Sequence, residues 1–178
     1  MSLEARRVEA LQSYRILDTA PHPSFDCVTR AARTAFDTPI ALVSLIDETR
    51  RWFKACLGLP VRETARDISF CTHAIEQPGV FVVEDTHDDM RFRDNPLVTG
   101  APHMRFYAGA PIIDEEGYAL GTLCVIDTRA REFSLRDREL LSELSGCAMN
   151  AITLHSQGLL LRRADTLIRR YMGRDLAA

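Results

Sequence analysis

Apolar residues recur at helical spacing in two segments near the start of the chain. From Glu4 to Tyr14 they are Val8 and Leu11, extended a turn later by Ile16 and Leu17, with Glu and Arg covering the remaining surface; Asp18-Thr19-Ala20-Pro21 then interrupts the pattern. A second helix is predicted to open at His22-Pro23-Ser24, because proline is tolerated in a first turn. It carries Phe25, Val28, Ala31, Ala32, Ala35 and Phe36 and ends before Pro39.

The pattern then changes period. Ile40 to Ile46 is a short run rich in β-branched residues, Asp47 to Arg50 reads as a turn, and Arg51 to Cys56 alternates large apolar with polar residues, which predicts a β-hairpin ending at Gly58. Arg62 to Asp67 is polar and is expected as a loop. Ser69 to Glu76 fits a short helix capped by Ser69, with Asp67 as the other candidate cap. Val80 to Val83 is a buried-type strand, and Glu84 to Ala101 is the longest irregular stretch, too polar for a core. Arg105 to Ile113, the turn Asp114 to Gly117, and Tyr118 to Ile126 predict a second hairpin of central strands.

After Asp127, Ser134 with Asp137 three residues on forms a capping signature, and a proline-free helical pattern runs to about Met172. Within it Leu140, Leu144, Cys147, Ala151, Leu154, Leu161, Ile168 and Met172 follow alternating four-three spacing, interrupted at Gly158 and Asp165, which predicts a coiled-coil seam. Strand pairs joined by tight turns imply an antiparallel sheet covered by helices, an α+β fold with a long C-terminal helix. The expected division is a helical extension over 1–20, a globular domain over 21–156 and a helical linker or dimerisation extension over 157–178.

A length of 178 residues, 46% of them hydrophobic, accommodates one domain with a substantial core. A net charge of −3 gives no global attraction to nucleic acid or membrane. The basic residues are 21 Arg and a single Lys, Lys54. Arg162, Arg163, Arg169, Arg170 and Arg174 make the last helix locally basic, which is read as a solvated face. Cys27, Cys56, Cys71, Cys124 and Cys147 form an odd set without CxxC spacing, as expected of reduced thiols in the cytoplasm. No apolar stretch is long enough for a membrane span, and the first residues lack the apolar region of an export signal.

Five segments together resemble GAF domains of bacterial sensor histidine kinases and cyclic-nucleotide-signalling proteins. They are Asp47 to Lys54, Ile68 to Ile75, Asn95 to Gly100, Arg105 to Pro111 and Leu120 to Asp127. The resemblance implies a GAF, profilin-like, antiparallel sheet with one face roofed over a ligand pocket by the short helix and the long loop. It also implies terminal helices that pair between subunits in a homodimer, and a histidine kinase or nucleotide cyclase as effector. It names no ligand or cofactor.

Candidate ligand-binding residues are Phe70, Cys71, Asp85, Arg91, Phe92, Asn95, Arg105 and Tyr107, which mix aromatic walls with polar anchors in segments expected to converge. In the bland reading Asp85, Arg91, Asn95 and Arg105 only pin the long loop to the sheet. Cys71 and His73 lie two apart on a helix, where side chains diverge, so no metal site is expected. The bilin-attaching pattern places His directly after Cys, whereas Thr72 intervenes here. GAF-fold methionine sulfoxide reductases carry a nucleophilic thiol in a segment comparable to His103 to Phe106, and this chain has no Cys between Cys71 and Cys124. The Asn-Lys-Phe-Asp-Glu pattern of cyclic-nucleotide-binding GAF domains is absent. Asp47-Glu48 and Glu115-Glu116 fall in turns, where acidic residues are ordinary. Neither a phosphoacceptor box around His155 nor an ATP-binding signature follows. The expectation is a non-catalytic sensory or regulatory domain; the alternatives are a ligand-free dimerisation module and a reductase-like enzyme.

Overall fold

The computed structural model describes residues 2–175, with side chains described up to Arg169 except that of Leu167. Helix α1 (Leu3–Ser13) is capped by the Ser2 hydroxyl, and α2 (Pro23–Phe36) starts on Pro23 in the first turn, with His22 as its cap. Strands β1 (Ile40–Ile46) and β2 (Arg50–Leu57) form the first hairpin. The polar segment expected as a loop contributes a short edge strand, β3 (Glu63–Ala65), paired with the start of β2. Edge strands tolerate such polar sequence because one side of the ladder faces water.

Helix α3 (Phe70–Ala74) is capped by the Ser69 hydroxyl, which accepts from the Cys71 amide, while Asp67 bonds only the adjacent Ile68 amide. Strand β4 (Phe81–Val83) follows, and the long irregular stretch contains one further turn of helix, α4 (Pro96–Thr99), with Asn95 as its cap. The second hairpin is β5 (Phe106–Ile113) and β6 (Ala119–Asp127); Gly117, at φ +87°, supplies the left-handed residue of its turn. Helix α5 (Leu135–Asp175) opens on a reciprocal cap in which Ser134 Oγ accepts from the Asp137 amide and Asp137 accepts from the Ser134 amide.

The strands form one antiparallel sheet in the order β3-β2-β1-β6-β5-β4, with every neighbouring pair antiparallel. Both faces are covered. On one face Ala41, Val43, Leu45, Ala108, Ala110, Leu123 and Val125 pack against Leu11 of α1, Phe25, Val28 and Ala32 of α2, and Leu141, Ala148 and Ile152 of α5. On the other, Ile40, Leu42, Phe53, Tyr107, Cys124 and Ile126 lie beneath a roof made by Phe70, Cys71 and Ala74 of α3 and by Phe92, Val98 and Met104 of the long loop. The sheet core is therefore buried from two sides, which explains why the central strand β1 is buried along its whole length.

Only part of α5 is needed for that core. Leu140, Cys147, Leu154, Leu161 and Ile168, each seven residues from the next, are exposed, whereas Ala151 of the expected seam is buried against the body and Leu144 half-buried. The side chain of Met172 lies outside the described residues. Arg162, Arg163 and Arg169 are exposed, with Arg169 donating to Asp165 at 2.9 Å; Arg170 and Arg174 also lie outside the described side chains. Among the described residues no helix is long and apolar enough to cross a membrane.

Candidate functional site

The roofed face of the sheet carries a polar cluster at its centre. Antiparallel register sets Ser44 of β1 opposite Thr122 of β6, and the same side of these strands bears Cys124 and, from β5, Tyr107. Tyr107 lies along its own strand across Gly109: a Cβ on Gly109 would fall 2.2 Å from the Tyr107 hydroxyl, so only glycine leaves room for that ring. Helix α3 lowers Cys71 onto this surface, and β2 delivers Arg51 from the side.

The donors converge on one sulfur. Cys71 Sγ accepts from Tyr107 Oη at 3.2 Å, Ser44 Oγ at 3.3 Å and Arg51 Nη1 at 3.4 Å, and lies 3.9 Å from Cys124 Sγ. Arg51 is 1% exposed and makes no ion pair with a carboxylate among the described residues. Its Nε donates to Thr64 Oγ1 at 3.1 Å, and its guanidinium stands 4.7 Å from the centre of the Phe53 ring.

A buried cation without a counter-ion is costly, and the group placed to supply negative charge is the Cys71 sulfur. Burial alone would raise the Cys71 thiol, but the Cys124 hydrogen bond, the Arg51 charge and the Ser44 and Thr122 hydroxyls outweigh it and hold Cys71 well below an ordinary thiol. Its neighbour moves the other way: the hydrogen bond to Cys71 and burial hold Cys124 protonated well above the usual range. Burial, reinforced by the Cys71 charge, also keeps Tyr107 neutral.

Around this cluster the structure gathers four of the expected site residues. Phe70 stacks on Phe92 with ring centres 4.1 Å apart and meets Tyr107 at 5.3 Å; Cys71 lies next to Phe70 in the same helix. His73, in the last turn of α3, stands edge-on to Phe92 at 5.0 Å. The side chains of Phe70, Cys71, Phe92, Met104 and Tyr107 are buried and fill the space under the roof.

The other four hold the roof's frame. Asn95 caps α4 by accepting from the Leu97 amide and donates through Nδ2 to the Ile68 carbonyl at 3.0 Å, tying the long loop to the segment before α3. Arg91 pairs with Asp89 at 2.6 Å and lays its guanidinium 5.2 Å from the Phe81 ring centre and 5.1 Å from that of Phe92. Arg105 and Asp85 form a two-point ion pair whose Nε to Oδ1 distance is 2.8 Å, and the Arg105 hydrogen bonds hold the Asp85 carboxyl down to about 2.

Reading the sequence for pocket residues missed Arg51, Ser44, Thr122 and Cys124. Their signal was positional: Ser44, Thr122 and Cys124 are small polar groups inside apolar strand runs, and Arg51 begins an alternating strand. Cys27 and Cys147 are exposed on helices. No cluster of three metal-binding side chains is present among the described residues.

Open cavities lie on other surfaces. One of about 670 Å³ is lined by Arg30, Arg33, Asp37, Asp127 and Arg129 at the end of α2. Another, of about 370 Å³, lies between the α1–α2 connection and α5 and is lined by His22, Lys54, Leu154, His155 and Arg162. Lys54, at the bulge between β1 and β2, is turned toward the helices and donates to Thr19 Oγ1 at 2.6 Å and the Ala20 carbonyl at 2.7 Å.

A family profile described as the GAF domain matches residues 20–152, most of the chain and all of the strands. The chain belongs to the GAF domain family. A cyclic di-GMP phosphodiesterase of Pseudomonas aeruginosa is 46% identical over 143 residues, covering 79% of this chain but 24% of that protein, so the GAF chain spans about a quarter of that relative's length. Among solved structures, the GAF domain of an Acinetobacter phosphoenolpyruvate-protein phosphotransferase superposes with a TM-score of 0.63 at 18% identity, over 86% of this chain and 95% of that one. A free methionine-R-sulfoxide reductase from Neisseria meningitidis superposes with a TM-score of 0.62 at 17% identity, over 89% and 95%. At these identities the two structures share the fold with the GAF chain, and fold does not carry chemistry.

Proposed function

We propose that this GAF domain is a non-catalytic sensory module of a bacterial cytoplasmic signalling protein. A small molecule or a partner contact changes the packing beneath the roof, and a homodimer of α5 helices passes that change to an effector. Phe70, Cys71, Phe92 and Tyr107 form the responsive centre, while Asp85, Arg91, Asn95 and Arg105 hold its frame. The similarity to a cyclic di-GMP phosphodiesterase supports an effector that handles a cyclic nucleotide, with a histidine kinase as the other candidate. The expected boundaries assign 1–20 and 157–178 to helical extensions of a domain at 21–156.

One observation carries this reading: the exposed row Leu140, Cys147, Leu154, Leu161 and Ile168 runs along α5 on a side the chain's own core does not use. Seven-residue spacing of apolar side chains is the geometry by which two helices bury a shared seam. Signalling follows if the two states of the roofed face have different affinities for ligand or partner and favour different packing of α5.

Cys147 lies in the seam and tests it. In a parallel dimer it faces its own copy, so mild thiol oxidation should give a Cys147-linked dimer, abolished by Cys147→Ser and unaffected by Cys27→Ser. A chain that stays uncrosslinked while Cys27 reacts would contradict the parallel seam.

A further inference from the structure

Arg51, Cys71 and Cys124 bring a buried cation and two sulfurs together at the centre of the roofed face. Three side chains donate to Cys71 Sγ, one of them a guanidinium 1% exposed, and the fourth neighbour is a second sulfur at 3.9 Å. A neutral thiol is a weak acceptor and does not balance the buried Arg51 charge; a thiolate does both. The neighbouring sulfur needs to approach by about 1.9 Å to reach the bonding distance of ~2.05 Å.

We propose that Cys71 is held as a thiolate by Arg51 and is the site of attack on hydroperoxides, with Cys124 as the resolving thiol that closes a Cys71–Cys124 disulfide. The inference rests on the reading of the roofed face as the sensory centre and names its input. The Cys71 sulfur attacks the distal oxygen of ROOH and the O–O bond breaks. Cys71 becomes a sulfenic acid, and the alkoxide leaves, taking the Cys124 proton to become ROH. The Cys124 thiolate then attacks the Cys71 sulfur, the S–O bond breaks, and hydroxide leaves and is protonated by solvent. Two electrons pass from the sulfur pair to the peroxide.

Directions of ionisation agree with this division of labour, Cys71 favouring the thiolate and Cys124 the thiol. Both sulfurs are fully buried, so the oxidant arrives when the roof opens. Local and sub-global openings of a native fold give such access without global unfolding.

Two measurements on the 178-residue chain, with Cys27 and Cys147 changed to Ser, test the site. Ultraviolet thiolate absorbance needs no access to the sulfur. It should show one thiolate per chain at neutral pH, lost in Cys71→Ser and titrating at higher pH in Arg51→Met; if Arg51→Met does not fold, Cys71→Ser alone decides. Second, excess hydrogen peroxide, followed by alkylation and tryptic mapping, should link peptide 67–91 to peptide 106–129. In Cys124→Ser, dimedone should label Cys71. No thiolate lost in Cys71→Ser, or free Cys71 and Cys124 thiols after peroxide, would overturn the proposal. A Cys71–Cys124 disulfide here, together with a wild-type chain that gives no Cys147 link under mild oxidation, would leave the reactive site standing and remove the parallel seam.

Discussion

At the scale of single residues, charge is held inside this domain by partners that the sequence places far away. Arg51 and Lys54 are polar residues of β2 three positions apart, and they reach opposite faces of the sheet, Arg51 beneath the roof and Lys54 toward the helices. Both are buried because helices cover one face and the roof covers the other, so alternation marks which face a residue occupies and says nothing of its exposure. Arg7 behaves similarly: it enters from α1 and donates to the Ile46 carbonyl at 2.7 Å and the Ala119 carbonyl at 3.2 Å, with Glu4 as its acid. The Arg7 hydrogen bond chiefly, with a further one from Arg66, holds the Glu4 carboxyl down to about 2 against its ordinary 4.5.

The folded-state value of Glu4 lies below the unfolded one, so its contribution to stability is fully present above about 4.5 and disappears as the pH falls toward about 2. Glu4→Gln should therefore melt below the wild type at neutral pH, and the two melting curves should converge as the pH drops through this window. Thermal melts across that range check it; a gap independent of pH would assign the effect to packing. The capping residues Ser69 and Ser134 were legible because each cap reads out a local rule of spacing. The Arg51 to Cys71 contact was not, because it joins residues of two segments whose meeting depends on the whole sheet order.

At the scale of elements, the two hairpins, the capped α3 and the start of α5 follow from periodicity and turn chemistry. The misses were β3 and α4, of three and four residues, where pairing to β2 and the Asn95 cap define structure that no periodic pattern is long enough to show. The α5 pattern was read as one seam and serves two purposes. Leu141, Ala148 and Ile152 turn to the sheet, Ala151 joins them, and the heptad row from Leu140 to Ile168 remains outside. The reciprocal cap at Ser134 sets where this helix begins, and Ser134→Ala should destabilise the chain by about 1 kcal/mol in urea unfolding. The helix register beyond Leu141 should be unchanged, since its core contacts fix it. No loss of stability would mean that Asp137 alone satisfies the first turn.

At the scale of the molecule, a single sheet separates the thiol cluster from the signalling helix. Strands β1 and β6 present Ser44, Thr122 and Cys124 to the roof and Val43, Leu123 and Val125 to the helices, so one pair of central strands touches both sides. Close-packed interiors transmit such displacements. Dimer formation by α5 is the step on which the relay depends, and Leu154 is at its centre, exposed at 67% and two residues past Ile152, which is buried in the core. Sedimentation equilibrium of the 178-residue chain and of Leu154→Glu tests this most directly, because a carboxylate buried without a partner costs several kcal/mol. The account predicts a dimer for the wild type and a folded monomer for the variant; a wild-type monomer, or a dimer that survives the substitution, would contradict it.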